Sequence, residues 1–170
     1  MKTIKFTIGL FLGLLLIILP LSQLQQSSSQ SSQSSLAPLE TLVVQQAGRK
    51  KPLSTVAQET VAKIHGSTSY KHDGRAESAM ETFLSLWLNN RNWNEEPFVL
   101  FSYRPLKETV GLDPDQKYFS FETLMRNQGL GEAVRAAHQQ ELADEDVSRD
   151  GREAIAIEDR LSLMLGAVSD

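Results

Sequence analysis

The chain contains no cysteine among its 170 residues, and that single absence removes several chemistries. Disulfide staples, thiolate metal sites, thiol–disulfide exchange and covalent haem attachment through a Cys-x-x-Cys-His run all need a sulfur that is not there. Lipoprotein acylation is excluded for the same reason. A surplus of positive charge is missing too. The formal net charge is −4, so nothing marks a nucleic-acid binder or a polybasic membrane patch. No Gly-rich phosphate loop, Gly-x-Ser-x-Gly elbow or His-Glu-x-x-His pair is present, and no internal repeat divides the sequence. What is there is a chain long enough for one domain plus appendages, with 41% hydrophobic residues to build a core.

The first residues carry the strongest signal. Lys2 and Lys5 form a short positive region, and Phe6 to Leu19 then runs almost wholly apolar up to Pro20. About twenty apolar residues span a bilayer, and this stretch is close to the core of a signal peptide. No small-x-small cleavage pattern follows Pro20, where Leu21, Ser22, Gln23 and Leu24 stand instead. Residues 1–21 are therefore a signal peptide or a membrane anchor, with the uncleaved anchor favoured. The positive-inside bias leaves Lys2 and Lys5 in the cytoplasm and places everything later outside it, on the periplasmic side, whether tethered to the cell membrane or released. Gln23 to Ser35 is a Ser/Gln tract with one leucine. It has too little apolar mass to offset the entropy of ordering it, so residues 22–38 are expected as a flexible tether. The extracytoplasmic domain is then 39–170.

Within that domain the patterns predict a predominantly helical α+β fold with a few short strands. Thr41 to Val44 is a brief apolar run, an edge strand or a docked arm, and Gly48 to Pro52 is expected as a basic loop. Thr55 with Gln58 fits a capping box, followed by Val56, Thr60, Val61 and Ile64 at helical spacing and a stop at Gly66. Asp73 and Gly74 are expected to open a second helix whose apolar face is Ala76, Ala79, Met80, Phe83, Leu84 and Trp87. Phe98 to Tyr103, after Pro97, is the best strand candidate. Pro105 to Val110 predicts a helical turn or two closed by Gly111, then Asp113, Pro114 and Asp115 supply turn chemistry. Ser120 caps a short helix through Leu124 and Met125. From Gly131 to about Val168 the spacing is helical again, with stripes of Leu130, Val134 and Ala137 and of Ile155, Leu161, Met164 and Leu165. The polar Asp144 to Arg152 separates two helices, with Gly151 as the expected break.

Side chains that could carry chemistry are few. His65, His72 and His138 show no ligand spacing and no paired carboxylate in sequence, so each is expected as a solvated or helix-end histidine. Glu95 with Glu96, or Glu141, Asp144, Glu145 and Asp146, could be written as acid–base pairs, but a charged helix face accounts for the second group more simply. Glu77 and Glu81 are the only candidates for a hydrolase, on a predicted helix. Trp87, Trp93, Phe98, Phe101, Tyr103, Tyr118, Phe119 and Phe121 are clustered aromatics, expected as core rather than as a groove for a flat cofactor. No enzyme signature emerges.

A resemblance adds to this. Gly48-Arg49-Lys50-Lys51-Pro52-Leu53-Ser54-Thr55-Val56-Ala57 resembles a Gly-Arg-x-Lys-Pro-Leu-Asp-Thr-Phe-Ala segment. That segment occurs in the extracytoplasmic part of large system II cytochrome c biogenesis membrane proteins, which handle haem and deliver it to apocytochrome c. Phe83 to Asn94, Glu96 to Phe101, Leu106 to Leu112, Tyr118 to Phe121 and Ile157 to Leu161 are similar, in order, to later elements of the same family. Together they cover most of residues 40 to 165. Ser54 and Val56 depart from the usual acidic and aromatic residues. The family's tryptophan-rich loop and membrane-flanking histidines are not in this chain, so it looks like the soluble portion alone. The resemblance implies a non-catalytic accessory module, with haem contacted at most transiently and no metal or catalytic residue to name. It implies a multi-spanning assembly protein and apocytochrome c as partners; the N-terminal segment adds the membrane, and the net charge leaves no nucleic acid to expect. Arg49, Lys51 and Pro52 become the expected partner-binding residues. A membrane-tethered structural or adaptor domain of unrelated function is the alternative.

Overall fold

The computed structural model describes residues 33–46 and 48–168, which fall into two compact units that meet in sequence between Leu42 and Val43. The expected anchor or signal segment, 1–21, lies outside the described residues. Among those described, no helix is long and apolar enough to cross a membrane. The first unit contributes α1 (Gln33–Glu40), which occupies the end of the stretch expected as tether. Leu36, Ala37 and Leu39 give it the apolar side chains that the Ser/Gln tract lacks. Pro38 stands inside it and can donate no turn hydrogen bond. The helix ends soon after, where Leu42 N–H donates to Leu39 O (3.1 Å) and Thr41 Oγ1 to Pro38 O (3.2 Å).

The second unit is α+β and mostly helical, with three two-stranded antiparallel ladders. The stretch expected as a basic loop is a strand instead. β1 (Val43–Gln46) pairs with β2 (Arg49–Pro52), Val43 opposite Pro52 and Gln46 opposite Arg49. Gly48, at φ +76°, supplies the positive φ that turns the chain between them. α2 (Leu53–His65) follows at once. The expected capping box at Thr55 and Gln58 does not form, because the fixed φ of Pro52 starts the helix earlier, without a side-chain cap. Val56, Thr60, Val61 and Ile64 are buried at the predicted spacing, and Gly66 closes the helix at φ +80°, its N–H donating to Ala62 O.

Asp73 and Gly74 do not open a helix. Both have positive φ, as a tight two-residue hairpin turn demands, and they join β3 (Ser69–His72) to β4 (Arg75–Ser78). The capping box belongs to the next helix, α3 (Ala79–Trp87). Ser78 Oγ accepts from Glu81 N–H (3.3 Å) while the Glu81 carboxylate accepts from Ser78 N–H (2.8 Å). The buried face of α3 is Ala79, Met80, Thr82, Ser85 and Leu86. Ala76 lies exposed on β4, and Trp87 is half exposed at the helix end.

The third ladder is the least local. β5 (Pro97–Leu100) pairs with β6 (Tyr118–Ser120) across an excursion that holds α4 (Arg104–Thr109). Lys107, almost wholly buried, pins the returning loop by donating to the carbonyls of Pro114 (2.5 Å) and Gln116 (2.8 Å). Ser120 caps α5 (Phe121–Met125), as its sequence predicts, and Asn127 caps α6 (Gln128–Leu142). α7 (Arg149–Val168) then runs back along the molecule. The break between the last two helices falls at Asp144 (φ +56°), not at Gly151. Gly151 sits inside α7, where a Cβ would stand 2.8 Å from Val147 Cγ1 and 3.0 Å from Ala137 Cβ. It is there to let α6 pack close.

The buried stripe of α7 is Ala154, Ile157, Leu161 and Met164: Leu161 and Met164 are buried as expected, Ala154 and Ile157 take the place of Ile155, which is half-buried, and Leu165 is half exposed. That stripe packs with Val61, Ile64, Leu86, Phe98 and Val99 into one core. Arg160 fastens it by donating to Leu100 O (2.8 Å) and Lys63 O (3.1 Å).

Candidate functional site

The β1–β2 hairpin separates the three residues expected to bind a partner. Arg49 and Lys51 share one face of the ladder with Val44 and Gln46, while Pro52 shares the other with Lys50, Val43 and Gln45. Lys51 is half buried and spends its charge on Glu59 of α2 (2.6 Å). Arg49 and Lys50 are exposed and have no carboxylate partner among the described residues. Val43 beside them is two-thirds exposed. The charge available for a partner is therefore that of Arg49 and Lys50.

A second assembly lies where the ends of α2, β3, β5 and β6 meet. His65 is buried, with its ring stacked between Phe98 (4.9 Å) and Tyr118 (4.4 Å) and with Tyr70 edge-on at 5.1 Å. Its Nδ1–H donates to Phe98 O at 2.9 Å. Burial lowers its pKa, opposed by that carbonyl bond and assisted by Lys117. Nearby, Tyr70 donates a short hydrogen bond to Glu96, and His72 Nδ1 lies 3.0 Å from the same carboxylate oxygen. Burial first, then Glu96, raises the Tyr70 hydroxyl above its ordinary range. The sequence analysis identified no carboxylate–histidine pair. Among the described residues two histidines have carboxylate neighbours: His72, with Glu96 and with Asp73 (3.5 Å), and His138, whose Nε2 meets Glu158 (2.6 Å) and whose Nδ1 meets Glu141 (3.0 Å). The His72–Glu96 and His138–Glu158 contacts join elements distant in sequence, which spacing along one helix does not reveal, whereas His138–Glu141 lies at i, i+3 within α6. The arrangement ties strands and helices together. Among the described residues no three His, Asp or Glu side chains are placed to hold a metal ion.

The third feature is a half-open apolar groove of about 330 Å³ between α5, α6 and α7. Leu124, Leu130, Val134 and Leu161 form its floor and walls, and Arg135 and Glu158 stand at its rim. Neither Glu77 nor Glu81 reaches it. Glu77 is paired with Arg91 (2.6 Å) and Glu81 is spent on the α3 cap and Arg75.

No known protein-family profile matches the chain. Protein NrfI of Wolinella succinogenes is 30% identical to it over 78 residues, which are 46% of this chain and 8% of that protein. The chain spans less than a tenth of this relative's length.

The aromatics divide in the way core packing requires. Trp93, Phe98, Phe101 and Phe119 are buried, and the Asn-rich turn before Trp93 is a structural knot. The Trp93 indole N–H donates to Ser85 O (3.0 Å), Asn90 takes the Ser85 hydroxyl, and the Arg91 guanidinium covers the Trp93 ring at 4.4 Å. Sequence reasoning missed the groove. Its only signals were Met125 and Leu165, apolar residues that their helices leave on the outside.

Proposed function

We propose that the chain is a non-catalytic accessory module of cytochrome c biogenesis, held at the outer face of the membrane by residues 1–21. There it assists haem delivery or the handling of apocytochrome c, working with a multi-spanning assembly protein. The observation that carries this reading is the likeness to Protein NrfI over 78 residues, joined to the ordered resemblance through residues 40 to 165. The hairpin that carries Arg49, Lys51 and Pro52 is the docking element, and its contacting charges are Arg49 and Lys50, since Lys51 is paired with Glu59.

The test is a pull-down of the tagged chain from its own host in detergent, read by mass spectrometry and by haem absorbance, with holocytochrome yield measured in a deletion strain. Recovery of a tryptophan-rich multi-spanning haem protein, and a lower yield on deletion, are the expected results. If neither occurs, the second reading takes over: a tethered adaptor domain of unrelated function, which the open groove favours.

A further inference from the structure

We infer that the groove between α5, α6 and α7 is the seat of an amphipathic helix from a separate protein, one carrying an apolar stripe and a carboxylate beside it. This inference stands apart from the cytochrome c reading, because a groove recognises shape and charge whatever the partner does.

The lips of the groove decide between a small ligand and a helix. Met125 on one side is 57% exposed and Leu165 on the other is 52% exposed. Both line the same groove as buried Leu124, Leu130 and Leu161. A small molecule site ordinarily encloses most of its ligand. This groove is half open, and a small occupant would leave both apolar lips in water. A helix laid along it covers lips and floor together, its side chains at i, i+3 or i+4 and i+7 entering the groove. Gly131 lies in the wall of α6, and the nearest atom to a Cβ built there is the flexible end of Arg135 at 3.9 Å. A partner backbone can therefore come close to α6.

Charge fixes the partner's polarity. Glu158 on the α7 side is already engaged by His138 at 2.6 Å. Arg126 just outside is paired with Glu122 at 2.6 Å. Arg135 on the α6 side is exposed and has no hydrogen-bond or carboxylate partner among the described residues. The uncompensated charge at the rim is thus a guanidinium, which takes a carboxylate best.

The experiment uses the full chain in lipid nanodiscs, with empty nanodiscs as the blank. Two fluorescein-labelled designed peptides of about 15 residues, long enough for an induced helix, share one leucine stripe and differ in flanking glutamates or lysines. The glutamate peptide should bind the wild-type chain more tightly, by about tenfold in Kd, equivalent to one close charge pair and its desolvation. Arg135→Glu should reverse that ranking, and Arg135→Gln should abolish it. Met125→Glu and Leu165→Glu, both at surface positions, should weaken both peptides while leaving the circular dichroism spectrum unchanged. Equal affinity for the two peptides in the wild-type chain would overturn the inference. So would saturable binding of dodecanoate with no peptide binding, which would make the groove a small-amphiphile site.

Discussion

His65 is kept neutral by its surroundings, and that choice couples folding to pH. Burial depresses its pKa below the ordinary histidine value, while in the unfolded chain it titrates near about 6.5. Between those two values the unfolded chain binds the extra proton and the folded chain does not. Stability from this site is thus complete above the unfolded pKa and is lost as pH falls toward the folded one. His138 acts in the opposite sense. Hydrogen bonds that its ring donates to Glu158 first, then to Glu141, raise its pKa, so its contribution is present below the unfolded value and fades as pH rises through the raised one. His138 is exposed and screened, so the buried residue should dominate. Urea midpoints measured from pH 7.5 down to 5 should fall for the wild-type chain and fall less for His65→Gln. An equal slope in the two proteins would assign the acid sensitivity elsewhere. At the same scale, Trp93→Phe removes the indole donor from Ser85 O, which keeps the longer bond from Asn90 N–H (3.3 Å), and shrinks a fully buried side chain. Its expected cost is about 1–3 kcal/mol, read from urea unfolding.

At the scale of the element, small residues set how closely helices meet. Gly151→Ala places a methyl group against Val147 and Ala137, and the α6–α7 pair should loosen, with a loss of about 1–3 kcal/mol. Gly131→Ala, in the same helix pair but facing the groove, meets nothing closer than a flexible arginine end. It should be neutral or should raise the melting temperature slightly through better helix propensity. Thermal unfolding of the two variants side by side separates packing from propensity. The helices were legible because their cues are local: Val56 to Ile64 recur on one face, Ser120 precedes a short apolar run, and Gly66 sits where a left-handed residue is needed. The hairpins were harder. Asp73-Gly74 is a strong turn signal, but the flanking Ser-Tyr-Lys-His and Arg-Ala-Glu-Ser carry only Tyr70 as a buried anchor, too little alternation to announce strands. Arg49 to Pro52 hid a strand behind charge, since an exposed edge strand carries lysine and proline as readily as a loop does. The groove was illegible because it is made by three helices that no single periodicity relates.

For the whole molecule, the basic hairpin gives the sharpest check on the proposed role. Lys50→Glu reverses an exposed, uncommitted charge, whereas Lys51→Met deletes one already paired with Glu59. If the hairpin docks a partner, recovery in the pull-down should drop severalfold for Lys50→Glu with thermal stability unchanged. Lys51→Met should change stability by less than about 1 kcal/mol and leave recovery close to normal. Equal recovery for wild type and Lys50→Glu would move the docking surface away from β2.

The attachment of α7 has a consequence for how the protein is made. Lys63 meets Asp159 (3.1 Å) and Lys63 O holds Arg160, so the chain's contacts close over nearly a hundred residues. During synthesis α2, α3 and the β5 strand emerge long before the stripe that covers them. Until Ala154 to Met164 arrive, Val61, Ile64 and Phe98 have no lid, and the nascent domain is an open half-core. Completion is a late, single event, and whatever shields that half-core in the meantime works on a clock set by the ribosome.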